Sequence, residues 1–187
     1  MDTFVATPAR TSVPATLRKL YLSRFAFAAV WAALLFPAAG ALTPWSSVLL
    51  VAYPLFDVAC AVIDVRSARA DDGPVRHLYA NIALSALTGA ALAVAATSGI
   101  PAVLRVWGVW AVTAGLVQLL VGAARRRLGG QWAMIASGAV SVLAGASLYA
   151  QAGASGASLD SLASYALLGG IFFLVSALRL GRAAKDA

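Results

Sequence analysis

The sequence predicts an all-α membrane protein of six transmembrane helices, arranged as three repeated antiparallel hairpins. Three observations carry that reading. Hydrophobic residues make up 61% of the 187 and charged residues only 11%, against about 25% charged in a soluble domain. Six apolar runs, at about 21–42, 46–65, 78–98, 101–123, 131–151 and 159–180, each reach the roughly 20 residues a helix needs to cross about 30 Å of hydrocarbon. The basic residues gather at alternate ends of those runs, as membrane topology requires.

Taken in order, residues 1–19 are rich in Thr, Pro and Ala and read as a mobile cytoplasmic tail ahead of a single domain, 20–187. Arg10, Arg18, Lys19 and Arg24 lie at the N-terminal side of the first span. Its AAGAL end offers the small residues of a signal-peptide cleavage site, but the long basic region before it favours a retained helix. TPWS turns the chain into the second span, which holds Pro54 and leads into RSARADDGPVRH. The third span ends at Gly99-Ile100-Pro101, the fourth at RRRLGG and the fifth at AGASGASL. The sixth is followed by Arg179, Arg182 and Lys185. In a six-span topology every basic cluster then falls on one face, with Arg105 alone at the other. The positive-inside rule places that face, and both termini, in the cytoplasm of an inner-membrane protein.

Several function classes lose their chemistry at this point. A net charge of +7 distributed over helix ends is a topology signal and lacks the basic face of a nucleic-acid binder. Cys60 is the single cysteine and His77 the single histidine. No internal disulfide, CxxC site, bis-histidine haem or HExxH zinc motif can therefore be assembled from this sequence. There is no glutamate, and GASGAS at 153–158 has the wrong order for a GxSxG elbow. ADDGPVR lacks the further aspartates of a headgroup transferase. The expectation is a protein without catalysis, cofactor or metal, whose partners are membrane lipids and either a second copy or other membrane proteins.

The hairpins look like copies of one another. Tyr53, Trp110 and Tyr165 stand at similar places in the second helix of each, followed by Asp57-Val58, Ala114-Gly115 and Gly169-Gly170. TGAAL at 88–92 is echoed by AGASL at 144–148. Gly108, Gly115 and Gly122 form one small-residue seam, and Gly138, Ser141 and Gly145 another. Such seams let helix backbones approach in lipid, where packing drives association.

WAVTAGLVQLLVGAARRR (110–127), QWAMIASGAVSVLAGASLYA (131–150) and YALLGGIFFLVSALRLGR (165–182) together give the chain its likeness to a known family. Over about its last 110 residues it resembles the HdeD-like acid-resistance membrane proteins. The resemblance implies a six-helix inner-membrane protein linked to acid or envelope stress, with no enzymatic reaction and no catalytic residues to carry over. Asp57 departs from the pattern, standing where the other two repeats have Ala114 and Gly169.

That departure is the most informative feature of the sequence. An aspartate at the centre of a spanning helix costs about 2.5–3.5 kcal/mol on insertion scales and needs a partner, water or a task. On a helical wheel Tyr53, Asp57, Cys60, Asp64 and Ser67 share one stripe, and His77, Asn81, Ser85 and Thr88 another on the next helix. Polar stripes must face protein or water, so these two face the bundle interior. The nine residues from Asp57 to Arg66 put its carboxyl about 13 Å below the basic interface, within reach of Arg24 on the first helix. It is expected either to pair with Arg24 or to be neutral and hydrogen-bonded to Asn81 or Gln118. Asp64 reads as an end-of-helix charge beside Arg66, and His77 as a helix-start residue that could also sense pH. Arg105 is placed to snorkel or to meet Asp160. The functional expectation is a non-enzymatic stress-tolerance protein with Asp57 as its pH-responsive element. The alternative is a small proton-coupled transporter or channel using the same carboxyl.

Overall fold

A computed structural model describes residues 13–70, 75–124 and 132–183. It contains six long helices: α1 (Val13–Leu35), α2 (Pro44–Ala70), α3 (Arg76–Ala95), α4 (Ile100–Ala124), α5 (Trp132–Gln151) and α6 (Asp160–Ala183), with a single 3₁₀ turn at Phe36–Ala38 after α1. Among the described residues there is no strand. All six helices are long and apolar enough to span a bilayer, so the chain is a multi-pass membrane protein. Helix α1 begins at Val13, so residues 13–19, expected as tail, are helical. Residues 1–12, the loop residues 71–74, the Arg125–Arg127 cluster and Lys185 lie outside the described residues.

Local chemistry fixes the helix ends. Helix α2 opens with a reciprocal capping box: the Ser46 amide donates to Thr43 Oγ1 at 3.1 Å and the Thr43 amide donates to Ser46 Oγ at 2.8 Å. Two of the amides that a helix start leaves unpaired are thereby satisfied. Pro44 occupies the first helical position, where its missing N–H loses nothing. Gly99, with φ +105°, supplies the left-handed residue that lets α3 turn into α4 over four residues. At the same end of the bundle the Leu159 amide donates to the Ala39 carbonyl at 2.9 Å, tying the exit of α1 to the entry of α6.

The closest packing joins α2 with α3, α4 with α5, and α1 with α6. All three pairs run antiparallel. In the first and last helices, Arg18 meets Gly181, Ala28 meets Gly170, and Ala39 meets Leu159. The three hairpins expected from the sequence, α1–α2, α3–α4 and α5–α6, cut across these pairs. Small residues explain the strongest of them. A Cβ on Gly108 would lie 2.7 Å from the Gly145 carbonyl oxygen, and one on Gly115 would lie 2.7 Å from that of Gly138. The two glycine seams read from the sequence therefore face each other within one chain, and α4 and α5 meet backbone to backbone.

The core fills the end of the bundle away from the basic clusters. Trp31, Leu35, Leu50, Leu92, Leu104, Trp107 and Leu162 are fully buried there. Trp31 stacks on Trp107 with ring centroids 5.4 Å apart, and Tyr53 meets both rings. Pro54, buried in the middle of α2, has no N–H to give the Leu50 carbonyl. Beside that break the Trp31 indole donates to the Leu49 carbonyl at 2.6 Å.

Candidate functional site

Asp57 is the central residue of α2, thirteen residues from Pro44 and thirteen from Ala70, so about 20 Å of helix lies on either side of it. The spacing of 4, 3 and 4 residues along Tyr53, Asp57, Cys60 and Asp64 makes one stripe. Asp57 and Asp64 on it turn toward α1 and α3. Their side chains keep 15% and 18% exposure, and that of Arg24 keeps 12%.

Three donors from two other helices converge on the Asp57 carboxylate. Arg24 of α1 forms an ion pair with Oδ1 through Nη1. From α3, Asn81 Nδ2 donates to Oδ2 at 2.8 Å and Ser85 Oγ donates to the same oxygen at 2.7 Å. Asn81 and Ser85 are one helical turn apart, so both reach the same oxygen from above and below. The other guanidinium nitrogen of Arg24, Nη2, lies 3.9 Å from Asp64 Oδ2. The Arg24 guanidinium also sits 5.1 Å from the Phe173 ring centroid of α6, at cation–π distance. One cation thus holds two carboxylates and an aromatic face, and four helices (α1, α2, α3 and α6) share the cluster.

The remaining sequence candidates are dispersed. Gln118 on α4 stands outside this cluster; its Oε1 is buried without a hydrogen-bond partner among the described residues. His77 is exposed at the start of α3, beyond ion-pair distance of Asp64. Asp64, expected as a solvated helix-end charge beside Arg66, is half-buried and faces Arg24. Its α2 runs on to Ala70, five residues past the expected end of the span. Asp160 accepts from Ser158 Oγ at 2.6 Å and is not paired with Arg105.

Sequence reasoning placed Ser85 on the right stripe without naming it as a ligand of the carboxylate. Its position four residues after Asn81 was the available signal. Phe173 had none, because nothing in the sequence says that α6 lies against α1.

Chemically the cluster is a clamp. The carboxylate has two oxygens, each occupied by protein donors, and a buried carboxylate with its donors in place needs no water. Among the described residues no group of three His, Cys, Asp or Glu side chains is placed to hold a metal. Two surface grooves open elsewhere, between α3 and α4 and between α5 and α6, and Asp57 lines neither.

Comparison with protein-family models, with curated proteins and with solved structures finds no match to this chain.

Proposed function

We propose that this is a non-enzymatic integral protein of a bacterial-type inner membrane, of the HdeD-like kind, that supports tolerance of acid or envelope stress. In this reading the Asp57 clamp is its acid-responsive element. The observation that carries it is the convergence of Arg24, Asn81 and Ser85, from two separate helices, on one carboxylate at the middle of a spanning helix. An ionised carboxylate holds all three donors and the charge of Arg24; a protonated one loses its attraction for the guanidinium. A clamp built on that charge is therefore weakened when the carboxyl is protonated. Half-buried Asp64 and exposed His77 lie toward the basic end of the same helices. The resemblance of residues 110–182 to the HdeD-like family supports the same reading. So does the likeness of the three hairpins to one another, from which Asp57 departs in the first. Arginine and lysine placement supports both termini in the cytoplasm. Lipids, and a second copy or other membrane proteins, are the partners that a protein of this kind meets.

A second reading has its own observation. Pro54 is buried one turn before Asp57 and interrupts the hydrogen-bond ladder of α2. A broken helix beside a midplane carboxylate is the arrangement carriers use for coupling ions. One paired experiment separates the two. Cells carrying wild-type protein should survive acid challenge better than cells carrying Asp57→Asn, while liposomes containing either protein show equal, background proton flux after an external acid pulse. Equal survival removes the stress reading. Flux that depends on Asp57 replaces it with the carrier reading.

A further inference from the structure

Arg105 is the anomaly in the charge distribution. Of the nine arginines and lysines among the described residues, eight fall at one end of the bundle, and Arg105 stands at the other. It is five residues into α4, about 8 Å along the helix from its start. Its side chain is exposed, and no carboxylate among the described residues pairs with it; the ion pairs there belong to Arg24. Basic residues are disfavoured on this face, so an unpaired arginine at this depth points to an anion from outside the chain.

The groove below Arg105 has the complementary shape. It runs between α3 and α4, has a volume of about 320 Å³, and is lined by Arg105 at its mouth and by Ala91, Leu87, Leu84, Val109 and Trp110 along its length. From Ala91 to Leu84 is seven residues, about 10 Å of descent into the hydrocarbon. Of the other polar groups in its wall, the Thr88 hydroxyl donates to the Leu84 carbonyl at 2.9 Å, and the Trp110 indole nitrogen is buried without a hydrogen-bond partner among the described residues. The site thus offers a guanidinium above and an apolar channel beneath. No carboxylate lines it to receive the ammonium of a zwitterionic headgroup.

We infer that the α3–α4 groove binds a phospholipid of net anionic headgroup, its phosphate on Arg105 and one acyl chain lying along Leu87, Leu84 and Trp110. The leaflet is the one facing the arginine-poor end. Guanidinium forks recognise phosphate through two parallel hydrogen bonds, and the chain adds apolar burial that free phosphate cannot. This inference is independent of the Asp57 clamp.

Trp110 provides the readout. The protein is reconstituted in vesicles containing phosphatidylglycerol or phosphatidylcholine with brominated acyl chains. The quenching due to Trp110 is taken as the difference between wild type and Trp110→Phe. Half-maximal quenching is expected at an about fivefold lower mole fraction of phosphatidylglycerol than of phosphatidylcholine, the size expected for one arginine near an anionic headgroup. Arg105→Gln should erase the preference and Arg105→Lys should keep it. Ala91→Phe, which fills the groove, should remove the Trp110 quenching by both lipids. Equal quenching by the two lipids in the wild type overturns the inference, as does a preference that survives Arg105→Gln. Trp110 shielded from both lipids by a cross-linkable second copy would also overturn it.

Discussion

Arg24→Leu should lower the stability of the protein at neutral pH by about 3–5 kcal/mol, the size seen when one member of a buried ion pair is removed. The substitution leaves the Asp57 carboxylate at the centre of α2 with two neutral donors, Asn81 and Ser85, and no countercharge. It also frees Asp64 and empties the space over Phe173. Most of the loss should come from the uncompensated charge and not from the lost contact, because replacing both members of a buried pair is far milder than replacing one. Arg24→Leu combined with Asp57→Leu should therefore recover most of the stability. Reversible unfolding in mixed micelles, wild type beside the two single variants and the double, measures the coupling directly. A double variant as unstable as Arg24→Leu would mean that the cluster contributes by shape, with its charges incidental.

The second large effect belongs to the α4–α5 contact. Gly115→Ala puts a methyl 2.7 Å from the Gly138 carbonyl oxygen and 2.9 Å from Val142 Cγ2. The atom it meets first is backbone, which cannot rotate away, so the helices must separate. Overpacking of this kind costs about 1–3 kcal/mol, and Gly115→Leu should exceed it by preventing the two helices from seating. Gly169 is the internal control. It lies within α6, where an added Cβ meets nothing within 4 Å, so Gly169→Ala should change stability by no more than about 0.5 kcal/mol. The same unfolding measurement reads both. A similar loss at the two glycines would contradict the seam as the source of α4–α5 affinity.

The two positions show what could be read from the sequence. Six spans and their alternation follow from apolar runs and basic ends, both of which are linear properties. The Arg24–Asp57 pair and the Asn81 bond followed from depth, because 1.5 Å per residue places side chains on neighbouring helices at comparable levels. The glycine seams were visible as spacing, but whether they served contacts within or between chains was not. That depends on which helix faces which. Helix pairing in lipid is set by shape and by a few polar bonds, with no hydrophobic gradient to bias it. For the same reason the packing of α1 against α6, and with it Phe173 over Arg24, left no trace in the sequence. Gln118 illustrates the converse. It lies at a suitable depth for Asp57, yet it is not among the donors to that carboxyl, and depth alone cannot report rotation about a helix axis. Asp64 was misread because α2 continues to Ala70. A charge that looked terminal is nearly two turns inside the helix and within reach of Arg24.

The central claim is that proton uptake at Asp57 loosens the hold of α2 on α1 and α3. Spin labels at the exposed positions Lys19 of α1 and Ala80 of α3, in a Cys60→Ala background reconstituted in liposomes, would report it. The separation of the labels should lengthen or broaden between neutral and acid pH in the wild type. In Asp57→Asn, where the carboxylate charge is permanently absent, the acid-like distribution should already be present at neutral pH. A wild-type distribution unchanged by acid would contradict the account and leave the cluster as a fixed structural clamp.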